Sequence, residues 1–129
     1  MSLRVLLLEP DSILARVYAQ ALSRRGVTVD SVRTAEAAIA AADAKTPDVI
    51  VVELQVPMHN GVEFLYECKS YAEWLDIPVV IHTVLVAEEL AVVREVSEQL
   101  GVVAVLHKAH TSVDEFCRVV VHAKIAESV

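Results

Sequence analysis

Glycine, cysteine, basic charge and long apolar runs are all scarce in this chain, and each scarcity excludes something. Only three Gly and four Pro occur, with no linker, low-complexity tract or internal repeat, so the sequence offers no room for a second domain. No Gly-rich loop follows the first apolar stretch, where Glu9-Pro10-Asp11 would repel an anion. The two cysteines, Cys68 and Cys117, lie far apart within stretches of helical period. Neither a metal spacing nor a disulfide framework is indicated, and packed, reduced thiols are expected. Eleven basic against eighteen acidic residues leave a formal charge of −7, which opposes sequence-independent attraction to nucleic acid phosphates. No run approaches the roughly 18 apolar residues of a membrane span. The Leu6–Leu8 stretch stops at Glu9, short of the roughly seven residues a signal peptide needs. The expectation is a cytoplasmic protein with no direct contact to nucleic acid or membrane.

What is present is apolar residue in excess: 55% of the chain, against roughly 45–50% in soluble domains. That excess suggests a burial site beyond the core. A chain of 129 residues fits one domain spanning residues 1–129. Short β-branched and Leu runs alternate with longer stretches of helical period, the pattern of a parallel sheet covered by helices on both faces. The expected strands are Arg4 to Glu9, Val27 to Val32, Val49 to Glu53, Val79 to Thr83 and Val102 to His107. The expected helices are Ser12 to Arg25, Ala35 to Lys45, Gly61 to Glu73, Glu88 to Leu100 and Val113 to Ala126. Gly26 and Gly101 close the first and fourth helices, and Thr34 caps the second. Asn60 with Glu63, and Ser112 with Glu115, have capping-box spacing.

The most informative stretch is Pro47 to Gly61, PDVIVVELQVPMHNG. Its unbroken apolar run Val49–Val52 reads as a strand buried on both faces, and it delivers the carboxylate of Glu53 to its end. In open α/β sheets the carboxyl ends of the strands form the cleft where chemistry is placed.

These residues resemble the receiver domain of bacterial two-component response regulators over nearly the whole chain. The resemblance implies an α/β, flavodoxin-like, doubly wound sheet of five parallel strands in order 2-1-3-4-5. In that family the third strand ends on an Asp that accepts a phosphoryl group, before a loop with a Pro and a Gly like Pro57 and Gly61. Glu53 occupies the acceptor position. The first strand ends in two acidic residues that help hold Mg2+; the matching positions are Glu9 and Pro10. The fourth ends in Ser or Thr and a small residue, matched in IPVVIHTV by Thr83 and Val84. The fifth ends in an aromatic and Lys-Pro, matched in VLHKA by Val105, Lys108 and Ala109. Thr83 and Lys108 keep the pattern; Pro10, Glu53, Val84, Val105 and Ala109 depart from it.

The departures bear on chemistry. Phosphorylation needs a short carboxylate aimed in line at a donor, with a cation to neutralise developing charge. The extra methylene of Glu53 displaces its carboxylate, Pro10 offers the ion no oxygen, and Val84 adds bulk at the point of entry. A Lys-Ala peptide lacks the easy cis state open to Lys-Pro. Glu9, Asp11 and Glu53 are the remaining carboxylates for a metal, and Asp11 has a simpler role as cap of the first helix. The reading is an atypical receiver, not an enzyme, with no cofactor. Glu53 either imitates an aspartyl phosphate by contacting Lys108 and Thr83 or simply pairs with Lys108. A conventional Mg2+-dependent switch and a flavodoxin-like nucleotide- or cofactor-binding enzyme are the alternatives.

Val105 also removes the large rotating side chain from the strand-five position of the family's relay, which favours a fixed surface over a responsive one. On the fourth helix Leu90, Val93 and Leu100 form a core stripe, while Val92 and Val96 form a second one. With Val105 and Val119, which lies beside the inward set Val113, Phe116, Cys117, Val120 and Val121, they suggest an apolar patch. It would serve a homodimer or a protein partner: a histidine kinase, an output domain or another regulator. The histidines show no ligand spacing; His59, His107 and His110 are placed near the cleft mouth, and His82 points away from it. Trp74 and Tyr71 are expected to pack the end of the third helix.

Overall fold

A computed structural model describes residues 3–56, 59–85 and 87–128, and of these the side chains other than 59–60, 87–89, 92, 96 and 125–128. Pro57, Met58 and the side chains of His59, Asn60, Val92 and Val96 therefore lie outside the described residues. Five strands, β1 (Arg4–Leu8), β2 (Thr28–Val32), β3 (Val49–Val52), β4 (Val79–Thr83) and β5 (Val102–His107), form one parallel sheet. Its order is β2-β1-β3-β4-β5, the doubly wound arrangement expected from the sequence. Five helices, α1 (Ser12–Ser23), α2 (Ala35–Ala44), α3 (Gly61–Lys69), α4 (Ala87–Val96) and α5 (Val113–Ser128), connect and cover it.

The pleat divides each strand's side chains between two cores. Val5, Leu7, Val49, Val51 and Val80 face α1 and α5, where they meet Tyr18, Leu22, Phe116 and Val120. Leu6, Leu8, Ile50, Val52 and Ile81 face α2, α3 and α4, against Ala38, Phe64, Leu65, Leu90 and Val93. Burial on both faces explains why β1 and β3 read as continuous apolar runs. Both cysteines are buried free thiols, and burial pushes Cys68 up to about 11.

Helix ends follow the local chemistry. Asp11 caps α1 by accepting from the backbone N–H of Ile13 and Leu14 at 2.9 and 3.0 Å. Thr34 caps α2 by accepting from Ala37, and Ser112 does the same for Glu115, each at 3.1 Å. Gly26 and Gly101 take the left-handed conformation, at φ 80 and 71°, that closes the turns after α1 and α4.

Four differences from the sequence expectation bear on the site or the packing; other element ends shift by one or two residues. The first and third strands stop one residue before Glu9 and Glu53, although both residues keep a strand-like backbone bond, to Val32 and Leu8. The third helix ends at Lys69, not Glu73, and a separate 3-10 turn covers Ala72–Trp74. Lys69 turns its ammonium back onto the carbonyls of Trp74, Leu75 and Ile77, which holds that turn against the helix end. The fourth helix stops at Val96, before Leu100, in a turn stabilised by the Ser97 hydroxyl on the Val93 carbonyl. Val113, expected to face inward, is 37% exposed because it opens the first turn of α5 at the helix margin. None of the described helices is long and apolar enough to cross a membrane.

Candidate functional site

The pairing register brings the ends of β1 and β3 side by side, with Leu8 opposite Val52, and Val52 in turn lies opposite Ile81 of β4. One residue beyond each of the first two strands, Glu9 and Glu53 enter the same cleft. Thr83 closes β4, and Lys108 follows β5 at the start of a 3-10 turn spanning Lys108–His110. Glu9, Glu53 and Thr83 are all buried, so this is a polar knot beneath the surface and not a collection of rim charges.

Lys108 sits between the two carboxylates. Its Nζ lies 2.5 Å from Glu9 Oε1 and 2.8 Å from Glu53 Oε1. The other bonds of Glu53 come from three further donors. The Val84 N–H reaches Oε1 at 3.0 Å, the Gln55 N–H reaches Oε2 at 3.0 Å, and the Thr83 hydroxyl donates to Oε2 in a short bond. Each Glu53 oxygen thus accepts two hydrogen bonds, which compensates the desolvation of a buried carboxylate. Burial alone pushes the Glu53 carboxyl up, but the bonds from Lys108, Thr83 and Gln55 outweigh it and hold it below its ordinary value. Burial likewise pushes Lys108 down, and its bonds to Glu53 and Glu9 outweigh that and hold it above the usual lysine value.

The remaining positions are placed as follows. Asp11 is drawn toward Glu9 only through its backbone, whose N–H donates to Glu9 Oε2 at 3.1 Å; its carboxylate is spent on capping α1. Pro10 contributes no polar side chain. Val84 is 47% exposed at the cleft mouth, and its contact with Glu53 runs through the backbone. Ala109 is exposed, and its N–H donates to His107 Nδ1 at 3.3 Å. Val105 is half-buried against the α2–α4 core, and Val119 is half-buried against the α1–α5 core. His107 stacks on His110 with ring centroids 5.1 Å apart. Among the described residues no group of three or more His, Cys, Asp or Glu is placed to hold a metal ion.

Three contacts escape sequence reasoning. The bond from Lys108 to Glu9 has no sequence signature, because the strands that precede the two residues are separated by two others in the sheet. The backbone donors of Gln55 and Val84 have no sequence signature, because any residue carries an N–H. His82 does lie on the far face, as period-two alternation requires, with its ring 4.6 Å from both Tyr18 and Phe116.

A 2-1-3-4-5 sheet with carboxylates one residue past its first and third strands, a hydroxyl ending its fourth and a lysine after its fifth defines a receiver-type signalling domain. Residues 5–119 match the response regulator receiver domain, and the chain belongs to that family. Two curated relatives share part of it. The KDP operon transcriptional regulatory protein KdpE of Escherichia coli is 27% identical over 77 residues, which are 60% of this chain and 33% of that protein. The probable transcriptional regulatory protein TcrX of Mycobacterium tuberculosis is 31% identical over 79 residues, 61% of this chain and 33% of that one. The match covers about a third of the length of these relatives. A sensor protein from Polaromonas sp. JS666 has the same fold, with a TM-score of 0.86 at 21% identity over 97% of this chain and 98% of that one. Family membership places the chain in two-component signal transduction, as a signalling element and not a classical enzyme.

Proposed function

We propose that this chain, acting as one receiver-like domain over residues 1–129, does not take up phosphate in the usual way and works through protein–protein contact. The observation that carries this reading is the Glu9–Lys108–Glu53 knot. One ammonium bonds both carboxylates, offsetting one of their two negative charges, at the position where the family resemblance implies a divalent ion. The donor set does not suit such an ion: hard divalent cations take about six oxygens. Glu9 and Glu53 face Lys108, Asp11 is committed to a helix cap, and Pro10 supplies nothing.

Glu53 also supports imitation of an aspartyl phosphate. Its carboxylate engages a lysine, a hydroxyl and two backbone N–H groups at once, the kind of donors that recognise a phosphoryl group. It does so with one negative charge where a phosphate carries roughly −1.5 to −2. The cleft then rests in one arrangement without a modification step. The surface that partners read is proposed to be the face built from α4, β5 and α5, with Val92, Val96, Val105 and Val119. Its readers are a second copy of the chain, a histidine kinase, an output domain or another regulator.

The test compares the wild type with the double variant Glu53→Asp/Pro10→Asp, each incubated with acetyl phosphate and Mg2+ and weighed intact. The expected result is phosphoryl uptake by the variant alone. Uptake by the wild type at a comparable rate overturns the proposal and establishes a conventional switch.

A further inference from the structure

Between α2 and α3 the surface is hollowed into an open groove of about 680 Å3, and none of Glu9, Glu53, Thr83 or Lys108 lines it. Its origin lies in the sequence of α2, AEAAIAAADA. Ala35 and Ala40 line the groove, and such small side chains leave space that Leu or Phe would fill. The floor is apolar: Phe64 and Trp74 are buried, and Ile39 is half-buried. Tyr71, packed on Trp74 with ring centroids 4.7 Å apart, makes one wall.

The rim carries one sign of charge. Glu36, Asp43, Glu63, Glu67 and Glu73 line the groove, and no Lys, Arg or His is among its described lining residues. Glu36, Ile39, Ala40 and Asp43 recur at helical spacing on α2, and Glu63 and Glu67 do so on α3. An apolar trough between two helix faces is the shape that receives the apolar side of a third helix. Carboxylates gathered around a concave surface focus a negative potential there, on a chain whose formal charge is already −7. A neutral or acidic occupant would strip water from Glu36, Asp43, Glu67 and Glu73 without replacing it, whereas a basic one offers these carboxylates opposite charge.

We propose that this groove docks a cationic amphipathic segment of a partner protein. An apolar side chain of that segment rests on Ile39, Phe64 and Trp74. Its Lys or Arg side chains face Glu36, Asp43, Glu67 and Glu73. This surface is separate from the cleft and from the α4–β5–α5 face, and it stands whether or not Glu53 is phosphorylated.

Trp74 is the sole tryptophan of the chain, so its fluorescence reports occupancy of the groove directly. The full chain is titrated with a synthetic amphipathic helical peptide of Leu and Lys, and separately with its Leu and Glu counterpart. The Leu/Lys peptide is expected to give a saturable change, and the Leu/Glu peptide none. Glu36→Lys/Glu67→Lys weakens binding about tenfold, and Ala40→Phe, which fills the groove and keeps every carboxylate, does so to a similar degree. Glu95→Lys/Glu98→Lys, an equal charge change at exposed sites in and after α4, alters affinity by less than about twofold. All substituted positions are exposed, and circular dichroism melts confirm that each variant is folded. An unmoved Trp74 signal overturns the proposal. So does binding that survives Ala40→Phe, or that falls equally in Glu95→Lys/Glu98→Lys, since either marks diffuse attraction between opposite charges.

Discussion

Lys108 is the residue on which the cleft depends. Two carboxylates are buried beside it, and its own side chain is only 9% exposed, so water contributes little to either partner. Removing one member of such a knot leaves uncompensated charge in a poorly solvated site, and typically costs about 3–5 kcal/mol. Lys108→Met is therefore expected to lower unfolding stability by about that amount in urea titrations at neutral pH. Adding Glu9→Gln and Glu53→Gln to Lys108→Met removes the orphaned charges and is expected to recover most of the loss. A loss below about 1 kcal/mol in Lys108→Met would mean that the carboxylates are solvated or protonated, and the account of the knot would fail. The residues of this site were largely legible because strand ends can be located from apolar runs: Glu53, Thr83 and Lys108 each follow or close one. Their mutual geometry was legible only in part. Which of two carboxylates a lysine reaches depends on how the turn after β5 aims it, and a one-turn 3-10 segment leaves no periodic trace.

At the scale of elements, the loop from β3 to α3 is held by contact as much as by hydrogen bonding. The Gly61 N–H donates to the Leu54 carbonyl at 2.6 Å. A Cβ at Gly61 would lie 2.6 Å from Leu54 Cα and 2.8 Å from the Glu53 carbonyl oxygen, both backbone atoms that cannot rotate aside. Gly61→Ala must therefore push α3 away from the segment that carries Glu53. The expected cost is about 1–3 kcal/mol, with chemical-shift changes at Glu53, Thr83 and Val84 beyond those at the substituted site. Changes confined to Gly61 and its chain neighbours would show that the helix start is more accommodating than its packing implies. The sequence marks Gly61 as a turn residue but is silent on why alanine is excluded, because the obstruction comes from a backbone seven residues earlier. The same limit explains the end of α3. Tyr71 and Trp74 continue an apolar pattern past Lys69, and only the fold shows Lys69 reaching back to gather three carbonyls into a separate turn. Gln55–Val56 and His59–Asn60 pair as a short antiparallel ribbon for which two residues a side gave no pattern to read.

For the molecule as a whole, His82 links folding to pH. It is 2% exposed in the core between the sheet, α1 and α5, and its Nε2 has no hydrogen-bond partner among the described residues. Burial, reinforced by the positive charge of Lys108 and only partly offset by Glu53, brings its pKa from 6.5 down to about 4. The rings of Tyr18 and Phe116 pack against it, so the Nε2–H of an imidazolium would meet aromatic surface there. The unfolded chain binds this proton more readily than the folded one, so stability rises with pH across that interval. The contribution is fully present above about 6.5 and is lost as pH falls toward about 4, up to about 3 kcal/mol in total. Glu53, held below its ordinary 4.5, adds a second loss at more acidic pH. Lys108, held above 10.5, loses its contribution only as pH rises through its own elevated value. Stability should therefore be level from about pH 7 to 9, fall above that as the unfolded chain releases the Cys68 thiol proton that the folded chain retains to about 11, and fall in two stages on acidification. His82→Phe keeps an aromatic ring against Tyr18 and Phe116, removes the unpartnered nitrogen, and should flatten the stage between pH 6.5 and 4 while leaving the more acidic one. Urea denaturation at a series of pH values measures both curves. A wild-type stability unchanged between pH 7 and 5, or an equal slope in His82→Phe, would place the acid sensitivity of this domain somewhere other than the aromatic core.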